Sequence, residues 1–99
     1  MRTITVQGKE LKVAYNLKGL FVYEEIAGHP YNGARLVDTY MLLYSMLLAN
    51  NDDFSLSFDE FIDECDADMG IYQVFVEVMN EEAKRVEAYK NDKKKAVSL

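Results

Sequence analysis

The chain reads as an α+β domain, mainly α, with an N-terminal β-hairpin followed by about four helices. Three observations predict this. Apolar and polar residues alternate over the first fifteen positions, with Ile4 and Val6 before "QGKE" and Leu11, Val13 and Tyr15 after it. Beyond Asn16 the apolar spacing changes to three and four, the helical period. Hydrophobic residues make up 49% of the chain, and seven Tyr and five Phe are among them, enough for a core and against disorder. Ninety-nine residues form one domain. Its expected extent is residues 1–91, with residues 92–99 a flexible basic tail.

The hairpin turns at Gly8, which supplies the positive φ of a tight turn. A two-stranded ribbon is marginal alone, so one of its faces must pack on helices. Asn16 is the expected N-cap of a helix reaching about Ala27. Leu17, Leu20, Phe21, Tyr23 and Ile26 should form its buried side, with Glu24 and Glu25 in water. Gly28 suits a left-handed cap, and Pro30 cannot continue the helix. The second helix is expected from about Ala34 to Ala49. Its "YMLLYSMLLA" half is apolar almost all round, so it is either central or a subunit interface. Phe58, Phe61, Ile62, Cys65 and Met69 place a third helix's apolar stripe opposite Asp59, Glu60, Asp63, Glu64, Asp66 and Asp68. A last helix begins near Ile71 and carries Val74, Phe75, Val78, Met79, Val86 and Tyr89 before "KNDKKKAVSL".

The stretch "NNDDFSLSFDEF" half-resembles a calcium loop. With Glu60 as the bidentate twelfth ligand, Ala49 falls where the first carboxylate belongs and Phe54 where Gly makes the sharp turn. A second frame from Asp66 puts Gly70 one place early. Ser57 and Glu60, by contrast, make a complete S-x-x-E capping box in front of an apolar helical pattern. Leu56 can staple onto the first turn. The stretch reads as a helix start, with no metal site.

Charge is uneven. No Lys or Arg lies between Arg35 and Lys84, where Asp and Glu occur twelve times, and six basic residues against two acidic ones follow from Lys84. An acidic body repels nucleic acid, so direct nucleic-acid binding is not expected. Cys65 is the only cysteine, which fits a reducing cytosol and leaves no zinc cluster. The N-terminus lacks an apolar signal region, and Met41–Ala49 is too short to span a bilayer. His29, the only histidine, sits in a turn without a local nucleophile or carboxylate partner. Phosphate-loop, HExxH and GxSxG patterns are missing. The expectation is therefore no enzyme, no cofactor and no small-molecule substrate.

Three segments, "TITVQGKELKVAYNLKGLFVYEEIAGHP", "DTYMLLYSMLLANN" and "LSFDEFIDECDAD", together resemble the small tail assembly chaperones of long-tailed bacteriophages and prophages of gut bacteria. They cover roughly residues 3–69. The resemblance implies a non-enzymatic protein in the cytoplasm of a bacterial host, binding the helical tape-measure protein and leaving as tail-tube subunits polymerise. Self-association is implied as well. A frameshifted longer product is common in such systems, and Lys93-Lys94-Lys95 fits a slippery codon run. On this reading Tyr40, Met41, Tyr44, Met46 and Leu47 are the expected partner-binding residues, because Met and Tyr give adaptable contact chemistry. Alternatives from other classes are an acidic protein-binding module, a calcium-responsive one, and a DNA mimic that inhibits a nucleic-acid-binding protein.

Overall fold

A computed structural model describes the backbone of residues 2–97 and the side chains of residues 2–91. The order is β1 (Arg2–Val6), β2 (Lys9–Val13), α1 (Leu17–Ala27), α2 (Leu36–Asn50), α3 (Phe58–Ala67) and α4 (Met69–Val97). The predicted class, an α+β fold that is mainly α, is the one observed. α4 is longer than the sequence suggested. Its backbone is helical to Val97, within the 92–99 stretch expected to be a flexible basic tail; the side chains of that stretch, and residues 98–99 altogether, lie outside the described residues.

Gln7 and Gly8 form the turn between β1 and β2, both with positive φ (51° and 77°), as a two-residue primed turn requires. The register pairs Ile4 with Leu11 and Arg2 with Val13. Cross-strand partners point the same way, so Ile4, Val6, Leu11 and Val13 make one buried face. That face packs on α2 and α4. Along its rim, Arg2 reaches Glu77 at 2.8 Å and Glu81 at 2.6 Å on α4, exposed pairs that add little stability.

Counting out from the turn, Thr3–Lys12 is a pair without mutual hydrogen bonds, so the Lys12 N–H and C=O face away from β1. Asn51, just past α2, meets both. Its Oδ1 accepts from Lys12 N–H at 2.9 Å, and its Nδ2 donates to Lys12 O at 3.0 Å and to Leu47 O at 3.1 Å. One amide thus stands in for a third strand. Next to it, Asn50 accepts from Asn16 Nδ2 at 2.7 Å, and Asn16 Oδ1 caps α1 by accepting from Gly19 N–H at 3.0 Å. The end of α2 thereby ties down both the hairpin and the start of α1.

α1 ends as expected, with Gly28 at φ 78° and its N–H on Glu24 O at 2.9 Å. Its buried face, however, is not the expected one. Tyr23 and Gly19 are buried and Leu20 partly so, while Leu17, Phe21 and Ile26 are exposed. The reason is packing mainly against a single neighbour: among the described residues α1 lies along α2 and has no comparable contact with another helix. Gly19 makes this approach possible, because a Cβ there would overlap the Met46 sulfur and come within 3.0 Å of its Cε. We expect Gly19→Ala to lower stability by about 1–2 kcal/mol, overpacking outweighing a helix-propensity gain of about 1 kcal/mol. A raised melting temperature would show that α1 and α2 can separate cheaply.

The Ser57 capping box forms: Glu60 N–H donates to Ser57 Oγ at 3.2 Å and Ser57 N–H to Glu60 Oε1 at 3.0 Å. Before it, the α2–α3 connection is held by an aromatic cluster. Tyr44 lies edge-on to Phe54 and Phe58 with centroids at 5.6 and 5.5 Å, and its hydroxyl donates to Leu56 O at 2.7 Å. Phe61 and Phe75 complete the core. Met69, assigned by spacing to the α3 stripe, instead starts α4 and is exposed. Asp68 breaks the helix between them, its Oδ1 accepting from Gly70 N–H at 2.9 Å.

Candidate functional site

The N-terminal half of α2 and the length of α3 diverge to leave a solvent-open apolar groove of about 430 Å³. Leu36, Val37 and Tyr40 line it from α2, and Phe58, Ile62 and Cys65 from α3. Asp59 and Asp66 stand on its rim. Leu36 is 72% exposed and Val37 44%, large values for aliphatic side chains that a folded domain would normally cover. Tyr40 stacks on Tyr72 of α4, centroids 4.7 Å apart and rings inclined by 21°.

Of the five partner-binding residues expected from sequence, only Tyr40 lines the groove. Met41 is half-buried against the core. Met46 and Leu47 are fully buried and Tyr44 is 9% exposed, so the expectation that these three form contact surface is corrected. Hydrophobicity all round α2 arises because α1, α3, α4 and the hairpin all cover its middle. Leu36, Val37, Phe58 and Ile62 were missed. The available signal was an apolar Leu-Val pair in the first turn of α2.

The groove offers apolar contact and negative charge and no activated nucleophile. Burial, reinforced by Asp68, Glu64 and Asp66, pushes the Cys65 thiol up to about 11, so it stays protonated at neutral pH. His29 is half-buried, edge-on to Tyr23 at 5.7 Å, and its Nδ1 donates to the Pro30 carbonyl at 2.9 Å, which fixes the proton on that nitrogen. Among the described residues no three His, Cys, Asp or Glu side chains converge as a metal site, and no helix is long and apolar enough to cross a membrane.

Beside the groove, Asp38 is buried at the start of α2 and held by Arg35, whose Nη2 donates at 2.8 Å and whose backbone N–H at 3.3 Å. The Arg35 guanidinium keeps the Asp38 carboxyl below its ordinary range, as the Ser57 N–H does for Glu60, Arg2 for Glu81 and Arg85 for Glu82. Depressed folded values mean stability that is present above the unfolded carboxyl range and lost as pH falls through the folded values. We expect the melting temperature to hold near neutrality and drop below about pH 4. Asp38→Asn should flatten that drop, and an unchanged pH slope would show the Arg35 contact to be idle.

Tyr23 is completely buried, and its hydroxyl has no hydrogen-bond partner among the described residues. Burial, then the nearby Asp38 charge, raises its phenol. Tyr23→Phe removes an unsatisfied polar atom without changing the packing, so it should leave stability unchanged or raise it by up to about 1 kcal/mol. A loss above that in a urea titration would reveal a bond to Asp38 in solution.

Comparison of the chain with family models, curated proteins and solved structures finds no match.

Proposed function

We propose that this protein is a non-enzymatic assembly chaperone whose α2–α3 groove takes an amphipathic client helix, and that the client is the tape-measure protein of a long-tailed phage. The observation that carries the reading is the groove: open, lined mainly by apolar side chains and bordered by two aspartates. Helix-in-groove recognition needs such a trough for anchors spaced three and four residues apart. Asp59 and Asp66 favour clients whose anchors are flanked by Lys or Arg and disfavour acidic ones. The setting on this reading is the cytoplasm of a bacterial host, with tail-tube subunits displacing the protein as the tube grows.

The direct test has two steps. The gene is sequenced through its stop codon and into its neighbours, and the product of any very long helical reading frame is co-expressed with the chain. A slippery heptamer under the Lys93–Lys95 codons and a client that stays soluble only with the wild-type chain support the reading. Leu36→Glu/Val37→Glu should then abolish rescue while leaving the circular dichroism melt in place. A plain stop among unrelated metabolic genes, or rescue unaffected by the double variant, overturns it. An acidic module that mimics DNA is the second reading. It rests on the acidic run across α3, but only Asp59 and Asp66 of that run border the groove.

A further inference from the structure

The buried stripe of α4 does not stop where the domain stops. Ile71, Phe75 and Val78 lie in the core, and the same face continues through Glu82 to Val86 and Tyr89 at spacings of four, three, four, four and three. Such spacing keeps all six on one side of a helix. Yet from Ala83 to Asn91 every side chain is exposed, with Val86 at 39% and Tyr89 at 65%. Arg85 and Lys90 flank this uncovered stretch on either side. The backbone stays helical to Val97, so residues 83–97 form an arm about 22 Å long at 1.5 Å per residue. A helical extension that leaves an apolar stripe in water favours a partner that covers it.

We infer that the arm of one copy docks in the α2–α3 groove of another, Val86 and Tyr89 entering between Leu36, Val37 and Ile62. Charge is the first reason. The groove rim carries Asp59 and Asp66, whereas residues 83–91 of the arm carry Lys84, Arg85 and Lys90 against Glu87 alone; Lys90 borders the stripe on one side and Arg85, which also holds Glu82 at 2.6 Å, on the other. Opposite charges across such a contact set its register and exclude like-charged partners. Geometry is the second, because it forbids the same contact within one chain. The groove sits beside the N-terminal part of α4, where Tyr72 stacks on Tyr40. Tyr89 lies seventeen residues farther along, about 25 Å away on a continuous helix. Neither Gly nor Pro follows Gly70 to allow a fold-back. The contact is therefore made between copies, by exchange in a closed dimer or head to tail in a chain. It concerns the protein without its client, so its failure leaves the client reading standing, and the reverse holds too.

Two double variants test it, both at exposed positions: Val86→Glu/Tyr89→Glu on the arm and Leu36→Glu/Val37→Glu on the groove. At about 100 µM, where contacts of micromolar Kd are populated, the wild-type chain should sediment as an assembly and each variant alone as a monomer with unchanged helicity. Mixing the two variants should restore a heavier species, because one supplies an intact groove and the other an intact arm. Raising salt to about 0.5 M should weaken all such association. A wild-type monomer would overturn the inference. So would variants that still assemble, or a mixture that stays monomeric.

Discussion

Replacing Asn51 with Leu is expected to lower stability by about 2–3 kcal/mol and the melting temperature by roughly 10–20 °C for a chain of this size. The side chain is small and lies outside the apolar core, so volume is not the cause. Leu cannot make the three bonds to Lys12 N–H, Lys12 O and Leu47 O. Without them the outer edge of β2 has lost its substitute strand, and a two-stranded ribbon with a free edge is marginal. Asn51→Asp separates this account from a packing effect. A carboxylate still accepts from Lys12 N–H but turns two carbonyls from acceptors of a hydrogen bond into repelling neighbours. Those carbonyls raise the folded pKa of the new acid, so its protonated form is stable where the charged form is not. The deficit of Asn51→Asp should therefore be small at about pH 4 and grow toward neutrality. Urea titrations of the variants at both pH values decide it. If Asn51→Leu stays within about 0.5 kcal/mol of wild type, water replaces the amide without loss.

Met46→Ala is expected to cost about 2–5 kcal/mol, the range for emptying a buried Met site. A 99-residue domain has only about 5–15 kcal/mol in total, so the variant should be partly unfolded well below the wild-type transition. Met46 is fully buried and touches the face of α1 opened by Gly19, so the hole lies between two packed helices and cannot collapse easily. Chemical denaturation of Met46→Ala beside Leu36→Glu/Val37→Glu draws the line between core and surface. The first should lose stability; the second should lose association only. A Met46→Ala chain as stable as wild type but impaired in association would return Met46 to the contact surface.

These two residues also show where sequence reasoning reached and where it ended. Local chemistry was legible because its causes are local. Gly8 in the hairpin turn, Asn16 and Gly28 at the ends of α1, and the Ser57–Glu60 box each act within four residues, so spacing alone identifies them. The period change from two to three-and-four set the class and the element order for the same reason. Burial is a relation between elements distant in sequence, and there the pattern misled. Leu17, Phe21 and Ile26 look as apolar as Tyr23, but among the described residues α1 packs mainly on α2 and buries one narrow face. Tyr44, Met46 and Leu47 look as sticky as Leu36 and Val37, but the former lie where four elements converge and the latter where α2 overhangs α3.

Asn51 is the sharpest case. Two acids, Asp52 and Asp53, follow it directly, and from sequence it looked like part of a failed calcium loop. Its partner Lys12 is 39 residues away, so nothing nearby in the chain could disclose the bond. Sequence by itself thus determined the elements, their ends and the acid-rich middle with its basic end, because propensity, capping and charge are properties of short segments. Only the tertiary structure decided which apolar residues face water, that the groove lies between α2 and α3, and that the stripe of α4 runs on past the core. Those follow from how many neighbours each helix has, which is settled only when the whole chain packs.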